Sequence, residues 1–235
     1  MNQYLRSKKE LQQVYNDGSL TYDRSRFGSE GGEYLDEVER QIVFQLLKGS
    51  SVLELGTGTS RYGIFLGKKG FRFTGIDITG NMLKIAKNKV GKAGLDINLV
   101  KMDAETISFR SEQFDNVICI HTFQYFLHPL KVLIGANNVL KSGGRCIVSF
   151  ESNYVLEGKF RKFFRHPLQT FYSINEVKAL FKKAGFKPIY EKRLFLLPLG
   201  LYRRLPSFAV KIVKTFDNRQ NYGSLSLVAG EKQFQ

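Results

Sequence analysis

Residues 51–77 constrain the fold of this chain more than any other segment. An apolar run over 51–55 is followed by the turn sequence Gly56-Thr57-Gly58, by a helical pattern over 60–69 and by a second apolar run over 71–76. The two glycines lack a Cβ atom, so the backbone can turn sharply and a ligand can lie against it. This order predicts a strand–turn–helix–strand unit, which is the building block of a mostly parallel α/β sheet.

The same unit predicts a site for a ribose-containing ligand. Asp77 follows the second strand, 19 residues beyond Gly58, where a carboxylate can accept hydrogen bonds from a ribose diol. Arg61 stands in the third glycine position of the dinucleotide motif, which disfavours an NAD-type oxidoreductase. Glu54, just before the turn, suits a cationic ligand better than a diphosphate.

Four segments resemble signatures of one enzyme family. The sequence from Glu54 to Gly58 is similar to motif I of the class I S-adenosylmethionine (SAM) dependent methyltransferases, with Ser60 in place of its last glycine. Residues 99–109, 114–123 and 140–150 resemble later signatures of that family in the expected order, and 173–231 resembles it more faintly. Small-molecule and quinone-type members are the most similar. The resemblance implies in-line transfer of a methyl group from SAM to a small-molecule or lipid-like acceptor, with S-adenosylhomocysteine as the product.

The resemblance also implies which residues bind the cofactor. Asp77 would bind the ribose, and Asp103 would accept a hydrogen bond from the adenine amino group. Ile78 and Met82 would pack against the adenine, although ordinary core packing is an alternative for both. The full set of cofactor-binding candidates is Glu54, Gly56, Thr57, Gly58, Asp77, Ile78, Met82, Asp103, Ala104 and His121.

Three side chains are candidates for catalysis. His121 follows the fourth predicted strand, and a histidine side chain exchanges protons near neutral pH, which suits a general base; a packing role is the alternative. Tyr22 resembles an N-terminal Tyr-Asp element that closes over the methyl donor in several relatives, or else anchors a loop. Tyr125 stands where many relatives have histidine, and could orient the acceptor instead.

The hydrophobic pattern predicts repeated βα units and a mostly parallel sheet in one domain over 1–235. The resemblance implies a Rossmann-like sheet of seven strands with an antiparallel strand 7 and helices on both faces. Segments 1–32, 151–172 and 197–219 lie outside this pattern, and we expect them to form a small helical or loop cover for the substrate. The predicted strands are 51–55, 71–76, 96–100, 114–120, 143–150, 186–195 and 223–230, and the predicted helices are 33–48, 60–69, 80–93, 129–140 and 173–184.

Positive charge is concentrated in the C-terminal third. Residues 155–219 contain 15 Lys and Arg against 4 Asp and Glu, together with 12 Phe and Tyr. One interpretation is a solvated face above core aromatics. A second is contact with an anionic membrane surface through a helix carrying Phe208, Ile212 and Phe216 on one face. A third is nucleic-acid binding, which would make the chain an RNA-directed methyltransferase or a SAM-binding RNA-associated protein.

Other features favour a cytoplasmic protein, with a peripheral position at the membrane surface as the alternative. The first residues are polar and charged, so no signal peptide is expected. The apolar run over 194–202 contains Pro198 and is too short to span a bilayer. Cys119 and Cys146 are expected to be buried free thiols, and no Cys/His set has metal-ligand spacing, so no metal is expected.

Overall fold

The computed structural model describes residues 2–152, 169–217 and 223–233, and the side chains from Lys8 onward. Its strands are β1 Ser51–Leu55, β2 Arg72–Asp77, β3 Asn98–Lys101, β4 Phe114–Cys119, β5 Leu140–Glu151, β6 Phe186–Leu194 and β7 Leu225–Lys232. They form one sheet in the order β3-β2-β1-β4-β5-β7-β6. The pairs from β3 through β5 are parallel, whereas β7 runs antiparallel between β5 and β6. The predicted Rossmann-like fold is confirmed.

Helices flank the sheet and also form in segments predicted as cover. The helices are α1 Asn2–Asp17, α2 Tyr22–Phe27, α3 Glu30–Leu46, α4 Arg61–Gly67, α5 Gly80–Lys92, α6 Pro129–Val139, α7 Ile174–Lys183, α8 Leu199–Tyr202 and α9 Ser207–Asp217. The five predicted helices are present with boundaries shifted by a few residues. The sequence analysis assigned no helix to α1, α2 or α8, whereas α9 contains the helix expected to carry Phe208, Ile212 and Phe216 on one face. Within the predicted cover segment 151–172, residues 153–168 lie outside the described part of the chain.

Each central strand packs one helical layer on either side. Val117 and Cys119 of β4 face the cluster formed with α6 and α7, while Ile118 between them faces the cluster formed with α3 and α4. Successive side chains of a strand point to opposite faces, and a parallel sheet buries both of them. The near-continuous apolar composition of β4 follows from this arrangement.

A third cluster attaches the C-terminal helices to α3. Tyr34 of α3 packs with Phe195, Tyr202 and Val210, all of which are buried. Asp217 at the end of α9 accepts hydrogen bonds from the hydroxyl of Tyr202 at 2.5 Å and from that of Tyr34 at 3.0 Å. Part of the aromatic content of the basic third therefore belongs to the core.

Candidate active site

The turn after β1 is closed on one side and open on the other. Gly56 and Gly58 have φ values of +74° and +53°, in the left-handed region that favours glycine. The N–H groups of Gly56 and Thr57 both donate to the carbonyl oxygen of Ile76 at 2.9 Å. A Cβ atom at Gly56 would collide with Thr122, whereas a Cβ atom at Gly58 would meet nothing within 4 Å. The backbone at Gly58 is therefore bare toward the open side.

Asp77 joins the end of β2 to this turn. Its Oδ2 atom accepts a hydrogen bond from the Gly58 N–H at 2.8 Å, and Oδ1 accepts one from the Thr79 N–H at 2.8 Å. Burial raises the pKa of Asp77 above its usual value, and the two backbone hydrogen bonds oppose that shift. The carboxylate is thus held in one orientation beside the bare backbone.

Glu54 and Thr57 lie beneath the turn and are absent from the wall of the cleft. Both side chains are buried, and the Thr57 hydroxyl donates to Oε2 of Glu54 at 2.5 Å. Burial raises the pKa of Glu54 to about 8, and the nearby Asp77 and Glu39 act in the same direction. Glu54 therefore supports the turn from below as a mainly protonated carboxyl group at neutral pH.

A cleft of about 750 Å³, including its open mouth, lies above the turn at the carboxyl ends of the strands. Eight of the cofactor-binding candidates line it, and Tyr22 and Tyr125 line it as well: Gly56, Gly58, Asp77, Ile78, Met82, Asp103, Ala104, His121, Tyr22 and Tyr125. The sequence analysis missed other lining residues: Lys8, Leu11, Tyr15, Thr79, Met102, Glu105, Thr122 and Phe126. The spacing of Lys8, Leu11 and Tyr15 along one helical face could have indicated the first three.

Helix α1 roofs the cleft through polar contacts. The Lys8 Nζ atom lies 2.7 Å from Oδ2 of Asp103 and 2.9 Å from Oε2 of Glu105. These two carboxylates raise the pKa of Lys8 despite the opposing effect of burial. The Gln12 amide also donates to the Ile78 carbonyl oxygen at 3.1 Å. Helix α1 therefore contacts the segments after β2 and β3, which carry the predicted ribose and adenine contacts.

Three tyrosines gather on one side of the cleft. The ring of Tyr15 lies 6.1 Å from that of Tyr22 and 5.9 Å from that of Tyr125, measured between centroids. A side-chain hydrogen bond joins Tyr15 and Tyr125. Burial raises the pKa of both hydroxyls, so they act at neutral pH as protonated hydrogen-bonding groups.

His121 is held in the cleft wall by a buried acid. It adopts φ +53° just after β4, and its Nε2 atom lies 3.0 Å from Oε2 of Glu39, which is 1% exposed. Its Nδ1 atom is buried and has no hydrogen-bond partner among the described residues. A ring that donates from Nε2–H to Glu39 keeps Nδ1 as a proton acceptor.

These residues fit an adenosyl group carrying a sulfonium. Gly58 offers bare backbone, Asp77 offers a fixed carboxylate, and Ile78 and Met82 offer apolar surface close to Asp103.

Within the described ranges, no group of three His, Cys, Asp or Glu side chains is arranged to hold a metal ion. Cys119 and Cys146 are buried free thiols. None of the helices in those ranges combines the length and apolar composition needed to cross a bilayer.

Comparison with known sequences identifies relatives. Residues 53–148 match a family described as "Methyltransferase domain". A ubiquinone biosynthesis O-methyltransferase of Dinoroseobacter shibae is 26% identical over 188 residues, which cover 71% of this chain and 75% of that protein. An uncharacterised protein of Methanocaldococcus jannaschii is 31% identical over 164 residues, which cover 66% of this chain and 73% of the relative.

Solved structures share the fold at low sequence identity. The [4+2]-cyclase SpnF is similar with a TM-score of 0.75 and 15% identity, over 96% of both chains. A SAM-dependent methyltransferase of Thermotoga maritima is similar with a TM-score of 0.67 and 21% identity, over 94% of this chain and 99% of the other. Because a cyclase shares the architecture, the fold alone does not define the reaction. The match over residues 53–148 and the sequence relatives support the class I SAM-dependent methyltransferase superfamily, as the four signatures predicted.

Proposed function

We propose that this methyltransferase methylates an oxygen or nitrogen atom of a small-molecule or lipid-like acceptor, with His121 as the general base. The observation that carries the proposal is the position of His121. It lines the same cleft as Gly58 and Asp77, with Nε2 paired to Glu39 and Nδ1 unpartnered among the described residues. The D. shibae relative, named as an enzyme of ubiquinone biosynthesis, supports a small, lipid-like acceptor.

The chain has two tasks in such a reaction. When bound, SAM supplies a methyl carbon already activated by its positively charged sulfur. The first task is alignment of the acceptor with the methyl–sulfur bond, and positioning of this kind can contribute about 7–11 kcal/mol. The turn at Gly58 and the Asp77 carboxylate hold the adenosyl part, while Tyr22 and Tyr125 border the space left for the acceptor.

The second task is removal of a proton. His121 Nδ1 would accept the proton of the acceptor hydroxyl or amine as the electron pair of that atom forms its bond to the methyl carbon. Bound SAM would supply that carbon and keep the electrons of the broken carbon–sulfur bond on its sulfur. Glu39 orients the ring through its 3.0 Å contact with Nε2.

We assign the cover to the N-terminal helices and to the region around α8 and α9, within a single domain over 1–235. In the cover segment 1–32, helix α1 and Tyr22 of α2 line the cleft. The segment 197–219 supplies Leu199 and Arg203 to a neighbouring cavity. In the remaining cover segment, 151–172, residues 153–168 lie outside the described part of the chain.

A membrane surface as the source of a lipid-like acceptor has one specific observation in its favour. Phe208, Ile212 and Phe216 of α9 are 69%, 55% and 50% exposed and recur every four residues, so they share one face of the helix. Lys211 and Lys214 accompany them. Sedimentation with vesicles of anionic lipid should retain the chain, and Phe208→Ser with Phe216→Ser should release it. No comparable observation favours RNA or a nicotinamide cofactor.

The experiment that tests the proposed function combines binding with turnover. Calorimetry should show binding of SAM and S-adenosylhomocysteine, and Asp77→Ala should weaken both sharply. Labelled methyl from SAM should then appear in the small-molecule or lipid fraction of a cell extract. Labelling of the RNA fraction alone, or wild-type affinity in Asp77→Ala, would contradict the proposal.

A further inference from the structure

A second, smaller cavity lies next to the cleft. It is a narrow recess between α2, α3 and α8, with about 250 Å³ of space including the solvent at its mouth, and its lining includes Arg26, Arg203, Leu199 and Phe195. His121 lines both this cavity and the cleft described above. A molecule that occupies the smaller cavity therefore lies directly beside the imidazole ring.

The two acidic residues that line this cavity, Asp36 and Glu39, form ion pairs with other residues. Asp36 accepts from Arg40 at 3.1 Å and also pairs with Arg61. Glu39 pairs with His121 at 3.0 Å. Neither carboxylate forms an ion pair with the two arginines that line the cavity.

Arg26 and Arg203 lack an acidic partner among the described residues. Arg26 has a cation–π contact with Tyr22, at 5.4 Å from the ring centroid. The Arg203 Nε atom is buried without a hydrogen-bond partner. Burial, and after it the positive charge of Arg26, lowers the pKa of Arg203 to about 10. Glu151 attracts both guanidinium groups, but its Oε2 atom accepts a hydrogen bond from Gln169 at 3.0 Å.

Arg26 and Arg203 repel one another, and Glu151, although it attracts both, forms no ion pair with either of them, so a bound anion would stabilise the two guanidinium groups. Burying a charge is costly unless it is paired, and two like charges near one another add repulsion. Arginine presents a planar set of N–H donors that matches the oxygens of a carboxylate or a phosphate. The ligand that best satisfies this cavity is therefore an anion with several oxygens.

We infer that Arg26 and Arg203 bind a carboxylate or phosphate group of the methyl acceptor, and that they select anionic acceptors. The inference rests on the proposed function, because it assigns the smaller cavity to the acceptor. The anionic group lies on one side of His121 and the methyl donor on the other. The acceptor atom to be methylated is then presented at the imidazole, between the two cavities.

The test uses small anions as probes on the whole chain saturated with S-adenosylhomocysteine. Benzoate and phenyl phosphate represent the two anionic groups, and benzamide is the neutral counterpart of benzoate. Ligand-observed NMR should show saturable binding of at least one anion and none of benzamide. Arg26→Gln and Arg203→Gln should each weaken that binding by about tenfold or more. A preference between benzoate and phenyl phosphate identifies the group that the acceptor carries.

Arg24→Gln is the matched control, because Arg24 is an exposed arginine of the same helix as Arg26 and lines neither cavity. It should bind the anions like wild type. Arg26→Lys and Arg203→Lys keep the charge and should retain part of the affinity even if the glutamine variants fold poorly. Equal binding of benzoate and benzamide, or anion binding unchanged in the Arg26 and Arg203 variants, would overturn the inference. Failure of wild type to bind S-adenosylhomocysteine would instead overturn the proposed function.

Discussion

The Nε2 atom of His121 lies 3.0 Å from Oε2 of Glu39, although the two residues are 82 positions apart in the chain. The contact forms because α3 packs against the sheet face near the end of β4, where His121 takes up a left-handed conformation. An imidazole paired in this way through one nitrogen presents the other as a base. Glu39 is therefore a positioning residue, and His121 is the candidate catalytic residue.

Substitution of this pair should lower turnover with little effect on cofactor affinity. His121→Gln removes the base, and we expect kcat to fall by about 10²–10⁴-fold if the acceptor must lose a proton. Glu39→Gln keeps the shape of the side chain but removes its charge, so kcat should fall by a smaller factor. Steady-state kinetics and calorimetry with S-adenosylhomocysteine measure the two effects separately. A matching loss of cofactor affinity in both variants would assign the pair to binding.

Alanine at Gly58 should impair binding more than folding. Gly58 and Gly70 have φ values of +53° and +83°, and a Cβ atom at either position would meet nothing within 4 Å. Both substitutions impose a left-handed conformation on alanine, which costs about 1–2 kcal/mol of stability. Because the Cβ atom of Gly58→Ala would project into the cleft, only that variant should weaken SAM binding. Urea unfolding and calorimetry on both variants provide the comparison, and equal cofactor affinity would mean that the turn does not contact the ligand.

Loss of Lys8 should loosen the roof of the cleft. Lys8→Ala removes the ion pairs with Asp103 and Glu105 that fasten α1 over the site. Since pairs of this kind contribute about 0.2–1 kcal/mol each, losing both should let S-adenosylhomocysteine dissociate about two- to thirtyfold faster. Stopped-flow displacement measures this rate. Lys9→Ala, at an exposed neighbouring position, should dissociate like wild type, and an unchanged rate in Lys8→Ala would show that α1 does not control release.

Glu54 should make the protein less stable as the pH rises toward 8. Burial raises the folded-state pKa of Glu54 from 4.5 to about 8, so between these values the folded state binds more protons than the unfolded state. Its contribution to the free energy of unfolding therefore falls with rising pH in this window, by up to about 1.4 kcal/mol per pH unit. Glu54→Gln lacks this ionisation. Urea unfolding at pH 5.5 and pH 7.5 should show that the variant gains stability relative to wild type at the higher pH, and a constant difference would contradict the assignment.

Much of the fold and part of the site follow from local sequence patterns. The glycines at 56 and 58 permit positive φ, and the apolar run before them is typical of a buried strand. Helix α7 lies within the predicted range 173–184, and the capping box formed by Ser173 and Glu176 at its start needs only hydrogen bonds within one turn. Asp77 also follows from a local pattern. It is the last residue of β2, and it therefore lies at the end of the strand that borders the cleft.

Tertiary structure decided the rest, since the remaining contacts join segments that are far apart in sequence. The sequence indicated an acid at Glu54, but only the packing of the sheet shows that it lies beneath the turn with a raised pKa. Lys8 meets Asp103 across 95 positions, and His121 meets Glu39 across 82. Neither pairing leaves a periodic signal, because each depends on where a helix docks on the sheet. Local patterns therefore determined the α/β sheet and its glycine turn, whereas helix docking decided which side chains face one another across the cleft.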